Sequence, residues 1–83
     1  VIDGTGLNGH GITVAADNVT LSGMIVENFT QTYLASGIYV NSIVNTLKMD
    51  DILSRNNDVG FYVTNAGSID GLDIDNSHFD NNQ

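Results

Sequence analysis

The sequence of 83 residues predicts an all-β solenoid, a parallel β-helix of about three coils, on three observations. A short phrase recurs in order: Gly11-Ile12-Thr13-Val14, Gly37-Ile38-Tyr39-Val40 and Gly60-Phe61-Tyr62-Val63. Each copy precedes a second stretch of alternating apolar and polar residues, from Val19 to Asn28, Leu47 to Asn56 and Leu72 to Asn81. Asn, Asp and Gly punctuate the chain every few residues, while Val, Ile and Thr are frequent and helical spacing does not recur. Alternation is the pattern of a half-buried strand, and its return near every 25 residues is the mark of coils stacked on one another. A leucine-rich repeat would need a recurring Leu-x-x-Leu-x-Leu run, which is absent.

In the first phrase, the second and fourth residues point inward and the third outward, so Thr13, Tyr39 and Tyr62 form an outer column. In the second stretch Val19, Leu47 and Leu72 share a column, spaced by 28 and then 25 residues. Two positions on come Leu21, Met49 and Ile74, followed by Met24/Ile52/Ser77 and Val26/Ser54/Phe79. A small residue in one coil then sits beside a large one in the next, as a filled core needs. In the middle copy a one-residue slip, placing Leu53 rather than Ser54 inside, is an open alternative. Each stretch closes on an asparagine, Asn28, Asn56 and Asn81, expected to stack as a ladder of amide hydrogen bonds. The connections Val14–Val19, Val40–Leu47 and Val63–Leu72 lengthen along the chain, and Gln31–Ala35 is an insertion expected to bulge from one corner.

The phrases Gly37-Ile-Tyr-Val40, Leu47-Lys-Met-Asp-Asp-Ile-Leu-Ser-Arg-Asn-Asn57, Asn18-Val-Thr-Leu-Ser-Gly-Met-Ile-Val-Glu-Asn28 and Val1-Ile-Asp-Gly-Thr-Gly6 together resemble the repeats of the pectate-lyase-like superfamily. The resemblance covers nearly the whole chain and implies a right-handed parallel β-helix from a secreted or cell-surface protein that handles polysaccharide. It does not select an activity, because that superfamily spans lyases, hydrolases, epimerases, tailspikes and adhesins.

Composition bounds the function further. The net charge is −8 and the cations are Lys48 and Arg55 alone, which argues against nucleic acid and anionic membranes as partners. There is no cysteine, hence no disulfide framework, and no apolar run long enough to cross a bilayer. The chain lacks an initiating methionine and begins inside a strand phrase, so residues 1–83 are read as one segment of a longer protein. Open solenoid ends expose strand edges and core, which predicts partners there: further coils, or copies stacked into a homo-oligomer.

Four constellations are candidates for function. Tyr39 and Tyr62, with Asn41 and Thr64 two positions on, offer rings beside polar groups and so a glycan-binding platform; the plainer reading is a cross-strand aromatic pair. Asp50, Asp51 and Asp75 are candidate calcium ligands, with Asp73 in the same cluster and Asp70 and Asn76 near in sequence, although no contiguous calcium loop is present and a solvated acidic face is the ordinary explanation. No other cofactor is implied. Lys48 shares a column with Asp73, and Arg55 lies between Glu27 and Asp80, so surface ion pairs are expected rather than a lyase base. His10 and His78 lie in different phrases without a nucleophile or acid beside them and read as ordinary turn and surface residues. No catalytic residue is assigned: within these residues the sequence supports a scaffold with a binding face, the alternative being a purely structural module of an adhesin, tailspike or surface array.

Overall fold

The computed structural model describes residues 1–80 and 82. Among them there are eight strands and no helix: β1 (Ile2–Asp3), β2 (Ile12–Val14), β3 (Val19–Glu27), β4 (Ser36–Val40), β5 (Ile43–Arg55), β6 (Val59–Val63), β7 (Ser68–Asp75) and β8 (His78–Asp80). All pairings are parallel: β1-β3-β5-β7 form one sheet, with β8 also on β5, and β2-β4-β6 form the other. Each turn of chain visits both sheets before stacking on the turn before it, which makes a parallel β-solenoid of about three turns. The smallest extent of the molecule, 17 Å, accords with a stack of that depth at a strand spacing of about 4.8 Å.

The registers reproduce the columns that alternation predicts. Ile12, Ile38 and Phe61 are neighbours across β2, β4 and β6, as are Val14, Val40 and Val63. Val19, Leu47 and Leu72 align across β3, β5 and β7, and so do Leu21, Met49 and Ile74. Val26, Ser54 and Phe79 share a column, and Ser54 is fully buried, which decides the middle copy in favour of Ser54 inside. A hydroxyl is tolerated there because Ser54 Oγ donates to the Gly60 carbonyl at 2.9 Å and accepts from Asn57 Nδ2 at 2.9 Å.

The corners show a regularity of their own. Asn18, Thr46 and Gly71, each directly before the Val19/Leu47/Leu72 column, have φ of 58°, 62° and 85°. Five residues later Gly23, Asp51 and Asn76 have φ of 65°, 57° and 50°, and five later again Asn28 and Asn56 have 66° and 54°. A single left-handed residue turns the chain without ending the pairing on either side. Each turn of the large sheet is thus a series of four-residue runs hinged on Gly, Asn or Asp, with Thr46 the one β-branched exception. At the third turn the hinge at Asn76 also splits β7 from β8: there the Ile52 N–H donates to Ser77 Oγ at 3.2 Å.

Two expectations are corrected. The lengthening connections are not loops throughout: after short turns at Asn41–Ser42 and Thr64–Gly67, β5 and β7 begin at Ile43 and Ser68, and Ile43↔Ser68 and Val44↔Ile69 pair across them. Nor is the ladder built from Asn28 and Asn56, which are occupied as left-handed hinges; Asn81 lies outside the described residues. The ladder is one residue later. Asn57 is fully buried, accepts from the Phe29 N–H at 3.0 Å and donates to the Val26 carbonyl at 3.3 Å. Asn82 repeats the arrangement one turn on, accepting from the Asn57 N–H at 3.2 Å and donating to the Ser54 carbonyl at 3.2 Å. In the first turn the same position is Phe29, whose ring lies where a Cβ on Gly4 would be.

The core is therefore densest in the middle turn, where Ile38, Val40, Leu47 and Met49 are completely buried. In the last turn the same columns open to solvent: Val63, Leu72, Ile74 and Phe79 are 36, 44, 38 and 39 % exposed. Gln31–Ala35 forms a turn in which Tyr33 is exposed and Ala35 buried, pinned by the Gly9 N–H donating to Thr32 Oγ1 at 3.2 Å.

Candidate functional site

The outer wall of β2, β4 and β6 carries Thr13, Tyr39 and Tyr62 in direct register. The two tyrosine rings are half-buried and lie 6.0 Å apart at 57°, a tilted pair of the kind aromatic quadrupoles favour. Sequence reasoning missed the third ring of this row. His10 lies flat on Tyr39, centroids 3.7 Å apart and planes within 6°. Its Nδ1 accepts the Ser36 N–H at 3.0 Å, so the imidazole both covers one face of Tyr39 and satisfies the first amide of β4. Desolvation holds the His10 pKa below its ordinary value of 6.5, in keeping with a ring that must be neutral to accept that bond. The available signal was positional: His10 sits next to the repeated glycine at Gly11.

Asn41 and Thr64 meet as register predicts. The Thr64 hydroxyl donates to Asn41 Oδ1, and Thr64 Oγ1 accepts the Ala66 N–H at 3.2 Å. Tyr39, Tyr62, Asn41 and Thr64 are thus gathered on one wall, but Tyr39 is sandwiched between His10 and Tyr62. The ring at the open end of the row is Tyr62.

The acidic residues are spread along the larger sheet. Ser22, Asp50 and Asp75 form one outward column, and Thr20, Lys48 and Asp73 another. Asp51 is a left-handed hinge, and Asn76 Nδ2 donates to Asp50 Oδ1 at 3.3 Å. Among the described residues no three His, Cys, Asp or Glu side chains gather closely enough to hold a metal ion. Arg55 is committed to Glu27, its Nε and terminal nitrogen reaching Oε1 at 2.9 and 2.7 Å. Asp3, in register with Glu27, accepts from the Thr5 N–H and hydroxyl and from Asn28 Nδ2; the Thr5 bonds, the larger cause, hold its carboxyl below the usual range. A shallow, open depression lies at the second hinge, lined by Gly23, Met24, Ile25, Asp51 and Leu53. It brings together one carboxylate and apolar surface, which is not a set of groups for bond cleavage.

Compared with known protein families, curated proteins and solved structures, the chain has no significant match.

Proposed function

We propose that this chain is a scaffold segment of a parallel β-solenoid, continued at its ends by further rungs, and that its aromatic wall is a face for glycan. The observation that carries the scaffold reading is the last turn, where four residues of the core columns are open to water while their neighbours one turn back are buried. A monomeric surface rarely leaves a whole apolar row uncovered without a partner for it. The test is to append a further rung, duplicating residues 59–83, to the C-terminal end. A rung that covers Leu72, Ile74 and Phe79 raises the thermal midpoint, since stacked repeats gain stability from each interface. An unchanged or lowered midpoint rejects the reading.

The glycan reading rests on Tyr62, whose ring ends the aromatic row beside the Asn41–Thr64 pair. A sugar needs an apolar ring face and polar groups at its rim, and this is where the wall supplies both. The resemblance to the pectate-lyase-like superfamily supports the same assignment and, with it, a place outside the cell. Thermal shift against neutral and acidic glycans, with calcium and with chelator, tests it. A shift that Tyr62→Ala abolishes supports the platform; no shift with any glycan leaves the aromatic row as a stabilising cross-strand stack. A calcium-dependent shift would draw in Asp50, Asp51 and Asp75. Within these residues the proposal is scaffold and binding, not turnover.

A further inference from the structure

We propose that Asn8 is a self-modification site: the Gly9 backbone nitrogen attacks its side-chain amide and converts it to a carboxylate, and the Thr32 hydroxyl across the corner sets the rate. Asparagine is a thermolabile residue, and Asn8-Gly9 is the one Asn-Gly pair in the chain. Glycine at the second position matters because it has no Cβ to block the approach of its nitrogen to the asparagine Cγ. In the reaction the Gly9 nitrogen gives its proton to solvent base and bonds to Asn8 Cγ. Nδ2 takes up a proton and leaves as ammonia, which closes a cyclic imide. Water then opens the ring. Cleavage at Cγ leaves aspartate on an unaltered main chain; cleavage at the Asn8 main-chain carbonyl carbon leaves isoaspartate, whose main chain is one carbon longer.

The structure leaves this pair free to react. The corner is pinned on either side of Asn8 and not through its carboxamide: the Leu7 N–H donates to the Gly4 carbonyl at 2.9 Å, the Gly9 N–H to Thr32 Oγ1 at 3.2 Å, and the Ser36 N–H to His10 Nδ1 at 3.0 Å. Asn8 is exposed, outside any strand, and flanked by Gly6 at φ 74° and Gly9 at φ 103°. Its exposure belongs to the side of the solenoid. The loops before β2 and β4 run over residues 4–11 and 28–35, where 56–58 suffice before β6. Because Gly4 lies against Phe29 and Gly11 against Gly37, the extra residues of both loops project sideways from the stack. The two Asp-Gly pairs are better protected: Gly4 is buried with its N–H on the Glu27 carbonyl at 2.8 Å, and Asp70-Gly71 lies within β7.

The bond from Gly9 to Thr32 is the brake, since it holds the N–H that must be given up. The consequence falls on the next residue. His10 lies flat on Tyr39 with centroids 3.7 Å apart. An isoaspartate at position 8 inserts its extra carbon just before that contact, in a corner fixed by the Gly4–Leu7 turn on one side and Ser36 on the other. The added length lifts His10 from Tyr39 and uncovers that ring face. The aspartate product adds only one exposed charge. None of this depends on what the aromatic wall binds.

The test holds the purified 83-residue chain at body temperature and mildly alkaline pH and follows it by intact mass, peptide mapping and isoaspartyl methyltransferase labelling. The expected result is an amide-to-acid mass gain at Asn8 ahead of every other asparagine, with isoaspartate labelled there and no gain at that position in Asn8→Gln. Thr32→Val should speed the gain roughly two- to tenfold, the worth of one net hydrogen bond, while Thr32→Ser keeps the natural rate. Circular dichroism establishes that both Thr32 variants are folded. In NMR spectra the His10 ring protons, shifted upfield by Tyr39, should move toward free-imidazole positions in the isoaspartyl form and stay in place in Asn8→Asp. No gain at Asn8, an earlier gain at another asparagine, an unchanged rate in Thr32→Val, or an isoaspartyl form that keeps the His10 shift overturns the proposal.

Discussion

Replacing Asn57 by alanine should remove a large part of the stability of this fold. The side chain is fully buried and holds groups in two turns of the solenoid: it accepts the Phe29 N–H at 3.0 Å and donates to the Val26 carbonyl at 3.3 Å and to Ser54 Oγ at 2.9 Å. Ser54 keeps a bond to Gly60, so its loss is partial. The Phe29 amide and the Val26 carbonyl belong to buried residues and lose this partner outright. At about 1–3 kcal/mol for each group left short of a hydrogen bond, Asn57→Ala should cost roughly 2–6 kcal/mol. A domain of 83 residues has about 4–12 kcal/mol in total, so the loss is a sizeable share of it. Urea unfolding followed by circular dichroism measures the change, with an unaltered slope showing that the native state remains compact. The neighbouring Asn56→Ala supplies the comparison. That residue is exposed with φ of 54°, so alanine there meets only the left-handed penalty of about 1–2 kcal/mol. If Asn56→Ala proves the more damaging of the two, or Asn57→Ala costs under about 1 kcal/mol, the ladder has been assigned to the wrong asparagine.

Three other substitutions or conditions follow from the same geometry. Thr46→Gly should stabilise by about 1 kcal/mol, because Thr46 is a β-branched residue at φ 62°; in a domain of this size that raises the thermal midpoint by about 4–8 °C, and a lowered midpoint refutes it. Gly37→Ala should destabilise by about 1–3 kcal/mol, since its Cβ would collide with Ser54 Oγ and come within 2.6 Å of Asn57 Nδ2, and a neutral result in urea would contradict that packing. For His10, the folded-state pKa lies below the ordinary 6.5, so the unfolded chain takes up the proton first. Its contribution is fully present above pH 6.5 and is lost as pH falls from there through the lowered value. Urea midpoints between pH 7.5 and 5 should therefore drop in the natural chain more than in His10→Gln.

The architecture was legible because each turn repeats the same inward columns, and Val19/Leu47/Leu72 or Leu21/Met49/Ile74 fix register without any structure. What alternation does not carry is the rotation at the corners. The hinges recur every five residues, at Asn18, Gly23 and Asn28 and again at Thr46, Asp51 and Asn56, but Thr46 breaks the residue signature that would have revealed them. The same blindness displaced the ladder: in Asn56-Asn57 two identical side chains adjoin, the first taken by the hinge and the second by the core. His10 was hard to read for another reason, since it lies before β2, outside any strand, and its partner Ser36 is 26 residues ahead in β4. That Tyr39 adjoins Tyr62 and Asn41 adjoins Thr64 was legible, because outward neighbours follow from register alone.

The hinge columns also govern how such a chain can change in length. Adding or deleting one residue inside a four-residue run would shift every later hinge out of its column and turn core residues to solvent. The turn at Gln31–Ala35 lies outside the hinged runs of the large sheet. Viable variation therefore comes in whole turns of about 25 residues, copied as cassettes, or as extra residues between the hinged runs, at Gln31–Ala35 and in the connections that lengthen from Val14–Val19 to Val63–Leu72.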